Sequence, residues 1–86
     1  MDQLAKALGA RIRTQRKACR LSQDALALVC SIDRSYMGRI ERGEVSITVE
    51  KLYRIASLLS CDPAALLPPV SELQGLVDPG AQENPR

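Results

Sequence analysis

Between Asp33 and Gly43 the chain reads DRSYMGRIERG, a stretch with three arginines and two hydroxyl side chains. A guanidinium is a planar, permanently charged fork. Its natural partners are carboxylates, phosphates and the O6/N7 edge of guanine. If the stretch is helical, Arg34 and Arg39 lie near one face but more than a turn apart, so they address different groups. Gly38 between them removes bulk from that face, at about 1 kcal/mol of helix propensity. Reaction chemistry has no comparable foothold. The sequence contains no His, and Cys19, Cys30 and Cys61 form no CxxC pair, which argues against a zinc site. No Ser or Cys stands beside a base, no Gly-rich loop could cradle a phosphate, and no carboxylates cluster for a metal. The expectation is recognition without catalysis, metal or cofactor.

Arginines can act this way only if something holds them out from a core. The stretch Leu21–Gly43 contains two short helical patterns. The first carries apolar residues at Leu21, Ala25, Leu28 and Val29, and the second turns Met37 and Ile40 inward. Only Cys30 to Asp33 separate them, with Ala27 and Ile32 also directed to the interior. Two helices joined by so short a turn cross steeply, as in a helix-turn-helix. Ser22 and Asp33 are the expected N-caps, and Gly43 is the expected C′ stop.

The flanking sequence supplies the support. Leu4, Leu8 and Ile12 repeat at helical spacing over residues 2–19, interrupted by Gly9, which either permits close packing or is merely tolerated. Ser46 or Thr48 caps a fourth helix with Val49, Leu52, Tyr53, Ile55, Ala56 and Leu59 as its apolar positions. Asp62-Pro63 starts a brief fifth helix, ended by Pro68-Pro69. The 86 residues contain no Trp, no Phe and two Tyr, so the core is aliphatic. The turn signals of a β-sandwich are missing. An all-α, five-helix domain over residues 1–70 is the expected architecture. Residues 71–86 are expected to add one turn or short helix and a disordered tail.

The net charge of +2 conceals an asymmetry, with +5 over residues 1–43 and −3 over residues 44–86. A basic front half beside an acidic back half suits a polyanion on one face. The first residues, MDQLAKALGARIR, do not form a signal peptide, and no run approaches the ~20 apolar residues of a membrane span. A cytoplasmic protein with reduced thiols and no membrane partner is expected.

By Gly43 the chain resembles the lambda-repressor-like (Xre/Cro) helix-turn-helix family of bacterial and phage regulators. The motifs that carry the resemblance are LGARIRTQR, LSQDALA, IDRSYMGRIERG and ITVEKLYRIASLLSCDPAALL, spread over roughly residues 8–67. The segment DRSYMGRIERG followed by a Ser/Thr-capped helix is most similar to the controller proteins of restriction–modification systems. The resemblance implies that helices 2 and 3 form the helix-turn-helix. It implies that Arg34, Ser35 and Arg39 read base edges, and that Gln23, Tyr36, Arg42 and Ser46 contact phosphates. Gln23 would also brace helix 3, while Arg16 and Glu41 would tie helix 1 to its end. The chain departs from the family at Ser31, where Gly is common, so a positive φ there would strain Ser. It departs from controllers at Val45-Ser46, where they often have Arg-Asn.

The function implied is sequence-specific binding of double-stranded DNA by a transcriptional regulator, a repressor or activator that blocks or recruits RNA polymerase. A homodimer on a (pseudo)palindromic operator is expected, because two recognition helices then enter successive major grooves roughly 34 Å apart. Leu66, Leu67, Val70, Leu73 and Leu76 exceed the needs of a five-helix core and are the expected dimer surface. The alternative is an antitoxin-type interaction module that masks a toxin and autoregulates its operon.

Overall fold

The computed structural model describes residues 3–73. It contains α1 (Gln3–Ala18), α2 (Gln23–Val29), α3 (Arg34–Glu41) and α4 (Val49–Leu58), followed by single 3-10 turns at Pro63–Leu66 and Val70–Glu72. No strand occurs among the described residues. The fifth helix is therefore one tight turn. Pro63 starts it behind Asp62, whose carboxylate accepts from the Ala64 N–H at 2.9 Å, and Pro68-Pro69 leaves no room to extend it. Of the expected tail segment 71–86, only residues 71–73 are described.

Ser22, Asp33 and Thr48 cap the helices that follow them by accepting backbone N–H bonds. The core is aliphatic. Leu8 and Ile12 of α1 meet Leu26, Ala27 and Cys30 at the α2 end, Met37 and Ile40 of α3, and Leu52, Ile55, Ala56 and Leu59 from α4 and its cap. Ile32 and Leu66 complete the cluster. Each fully buried aliphatic side chain stabilises the fold by about 1.5–3 kcal/mol.

One face differs from the sequence expectation. In α2 the buried positions are Leu26 and Ala27, continued by Cys30, whereas Leu28 and Val29 are 79% and 55% exposed. A seven-residue helix has too few positions for its apolar pattern to fix a phase, so its neighbours set it. Here Cys30, one turn after Leu26, and Ile32 in the turn anchor the helix inward. Val49 and Tyr53 of α4 likewise face outward, beside a buried stripe at Leu52, Ile55, Ala56 and Leu59.

The four α-helices among the described residues all end in the same way. Arg20, Ser31, Gly43 and Ser60 adopt φ of 59°, 57°, 74° and 55°. In each case the following N–H turns back to a carbonyl five residues earlier: Leu21 to Arg16, Ile32 to Ala27, Glu44 to Arg39 and Cys61 to Ala56. This is the Schellman arrangement, which satisfies carbonyls otherwise orphaned at a helix end. Only one of the four sites uses glycine. The left-handed conformation costs an L-residue roughly 1–2 kcal/mol. Ser31→Gly is therefore expected to raise stability by about 1 kcal/mol in urea denaturation, less the greater unfolded-state freedom of Gly.

The end of α3 is clamped onto α1. A methyl group on Gly9 would lie 2.6 Å from the Glu41 carbonyl oxygen and closer still to that of Ile40. One on Gly43 would lie 2.5 Å from Lys6 Cα. Both glycines thus let two backbones touch.

Candidate nucleic-acid interface

With α3 fixed at both ends, its outer face carries the side chains of interest. Asp33 Oδ2 accepts from the N–H groups of Ser35 and Tyr36 at 3.0 and 3.2 Å, setting the start of the helix. Arg34, Ser35, Arg39 and Arg42 are exposed. With Gln23, Asp24 and Gly38 they line an open groove of about 400 Å³. The structure thus brings together five of the seven residues expected to contact DNA. Tyr36 and Ser46 lie outside the groove lining. Tyr36 is half-buried against the core, with the Lys51 ammonium 4.8 Å from its ring centroid, and Ser46 is exposed in the loop before α4.

Behind the groove lies a buried ion pair. Arg16 donates from Nε to Glu41 Oε2 at 2.7 Å and from Nη2 to Oε1 at 3.0 Å, while its Nη1 reaches the Leu21 carbonyl at 2.9 Å. Arg16 and Glu41 are only 8% and 7% exposed. Gln23 Nε2 donates to the same Glu41 Oε1 at 3.1 Å. One carboxylate therefore joins α1, the start of α2 and the last turn of α3. Gly38 completes this packing, since a methyl there would meet Gln23 Oε1 at 3.3 Å and Arg42 Nη1 at 3.1 Å.

Each arginine on the outer face also has a carboxylate beside it. Arg34 Nε lies 3.2 Å from Asp24 Oδ1, Arg39 Nε lies 3.7 Å from Glu44 Oε1, and Arg42 Nε lies 2.7 Å from Glu44 Oε2. The hydrogen bond from Arg42 holds the Glu44 carboxyl below its ordinary range, with the charges of Arg42 and Arg39 acting in the same direction. Asp24, Glu44 and Lys51 were not legible as site residues. Their partners are set by the helix crossing and the Gly43 turn, not by spacing within one helix.

The expected dimer surface divides. Leu66 is fully buried and Leu73 is 7% exposed within a single chain, so both are core residues and not free apolar surface. They are needed because a chain without Phe or Trp closes its core with aliphatic side chains from the C-terminal turns. Leu67 and Val70 are 46% and 74% exposed, and Leu76 lies outside the described residues. Arg11 pairs with both oxygens of Glu72 at 3.0 and 3.1 Å, tying the last described turn to α1.

The thiols are free. Burial pushes the Cys30 thiol up, against the opposing charge of Arg54, consistent with a small apolar filler. Among the described residues, no group of three His, Cys, Asp or Glu could hold a metal, and no helix is long and apolar enough to cross a membrane.

The profile of a family described as a helix-turn-helix domain matches residues 7–68. Among solved structures, the restriction–modification controller protein C.AhdI from Aeromonas hydrophila is 35% identical. That match covers 73% of this chain and 96% of that one, with a TM-score of 0.71. The clp gene regulator ClgR from Corynebacterium glutamicum is 25% identical, over 84% of this chain and 90% of that one, at a TM-score of 0.72. Hydroxypropylphosphonic acid epoxidase from S. wedmorenis is 24% identical over 80% of this chain, at a TM-score of 0.75. That likeness spans only 37% of the epoxidase chain and concerns the fold alone. No curated protein matches the chain.

Proposed function

The chain belongs to the helix-turn-helix family of DNA-binding transcriptional regulators, and on that premise we propose that it binds a specific operator as a homodimer. The observation that carries this reading is the outer face of α3. Arg34, Ser35 and Arg39 stand exposed on a helix whose opposite side is fixed by the Arg16–Glu41–Gln23 network. In the major groove, the front of such a helix meets base edges. Arg34 and Arg39 would take guanine O6 and N7, and Ser35 would take a base edge beside them. Gln23, Tyr36, Arg42 and Ser46 would contact phosphates and set the register.

One eight-residue recognition helix reads few base pairs, and pairing two of them extends the site. Leu67 and Val70, exposed beside the core residues Leu66 and Leu73, are the apolar surface proposed for that pairing. A palindromic operator follows from the two-fold symmetry. The folded unit proposed to do this is residues 1–70, with the segment from residue 71 onward contributing to pairing. The similarity to a restriction–modification controller supports a role at a promoter.

Arg34→Ala tests the base-reading role. The substitution is expected to relax sequence preference at one position by about 1–3 kcal/mol in competition binding with point-substituted duplexes. Undiminished preference would remove Arg34 from the reading.

A further inference from the structure

Glu44 lies just beyond α3, but its side chain is turned back alongside the last turn of that helix. The cause is the helix end. Gly43 takes φ of 74°, and the Glu44 N–H donates to the Arg39 carbonyl at 2.9 Å. The position is closely determined, because Gly43 packs directly on the Lys6 backbone. One carboxylate thereby serves two arginines. It takes Nε and Nη2 of Arg42 at 2.7 and 3.4 Å, and it lies 3.7 Å from Arg39 Nε. The carboxylate flanks Arg39 on its Nε side, and the terminal Nη groups are the edge that would meet a base. Arg42 keeps Nη1 for an outside partner, lodged above Gly38.

We infer that Glu44 is a positioning and specificity-determining residue: its carboxylate orients Arg39 and Arg42 and repels duplexes that offer these arginines phosphates alone. The inference rests on the DNA-binding reading above. Two effects of Glu44 act in opposite directions on two classes of DNA. Restraining Arg39 and Arg42 beforehand lowers the ordering cost of a complex that uses both. A negative charge at the groove opposes contacts that depend on phosphate attraction, which supplies most non-specific affinity. The first effect favours the selected site, and the second penalises random sequence.

The test is E44Q in the full chain, which keeps the side-chain volume and one acceptor while removing the charge. Affinity is measured for the wild-type chain's selected duplex and for a random duplex, across a salt series. Random-duplex binding is expected to tighten at least threefold, with a steeper salt dependence. Selected-duplex binding is expected not to tighten, so the ratio falls at least threefold. E50Q removes an equal charge from a carboxylate that pairs with Arg54 of α4 and not with α3, and it should leave the ratio unchanged. Equal tightening on both duplexes in E44Q would make Glu44 an ordinary repulsive charge and overturn the inference, as would no change on either. If the wild-type chain retains no duplex at all, the DNA reading falls and takes this inference with it. If it retains its selected duplex and E44Q leaves the ratio intact, only the role of Glu44 falls.

Discussion

Glu41→Ala is expected to destabilise the domain by about 3–5 kcal/mol, because it leaves the Arg16 guanidinium buried without its counter-ion. Arg16 is 8% exposed and spends two of its donors on Glu41, so water cannot easily replace the lost oxygens. Small domains are stable by only about 5–15 kcal/mol in total, so this is a large fraction. The same change frees Gln23 Nε2 and slackens the last turn of α3 against α1. Urea denaturation measures the loss. The double variant Arg16→Met/Glu41→Leu should recover most of it, since a buried pair is often replaced by apolar side chains at little cost. If Glu41→Ala alone cost less than 1 kcal/mol, the pair would be no more than a surface contact.

The second large effect is expected at Gly9. Alanine in mid-helix normally stabilises by about 1 kcal/mol relative to Gly. Gly9→Ala is expected to do the reverse, with a net loss of about 2–3 kcal/mol, near the upper range for overpacking. The added methyl would meet the carbonyl oxygens of both Ile40 and Glu41, and backbone cannot swing aside as a side chain can. Relief requires α1 and α3 to part, which would strain the Arg16–Glu41 contact across the same interface. Thermal melting of Gly9→Ala beside Ala10→Gly, an exposed position one residue on, separates the contributions. Propensity predicts opposite signs for the two variants, whereas the packing predicts that both are destabilised.

The contrast between Gly9 and Gly43 indicates what a sequence carries. Gly43 follows a helix with cationic residues in its last turn, so its stop role is local and legible. Gly9 interrupts a helix, and its reason lies on another helix 31 residues later, at Ile40. The N-caps Ser22, Asp33 and Asp62 were legible for the same local reason, and the fourth cap narrowed from Ser46 or Thr48 to Thr48. Strain at Ser31 was foreseeable from a departure at one position. The equivalent turns at Arg20 and Ser60 carried no signal, because neither residue type favours positive φ.

The site divides along the same line. The arginines of α3 were legible because a polar helix face with a Gly between two arginines is a local pattern. Their carboxylate neighbours were not, since Asp24 reaches Arg34 only through the crossing of α2 and α3. Leu66 and Leu73 show the limit of counting apolar residues. The count suggested surplus, but a core of small aliphatic side chains consumed both.

The DNA that the chain selects tests the operator reading most directly. Duplexes retained from a random-sequence pool at moderate salt should converge on one symmetric site. Its half-sites should lie about one helical turn apart, 10–10.5 base pairs centre to centre or a multiple of that. Retention with no enriched sequence, weakening with salt alike for every duplex, would contradict it.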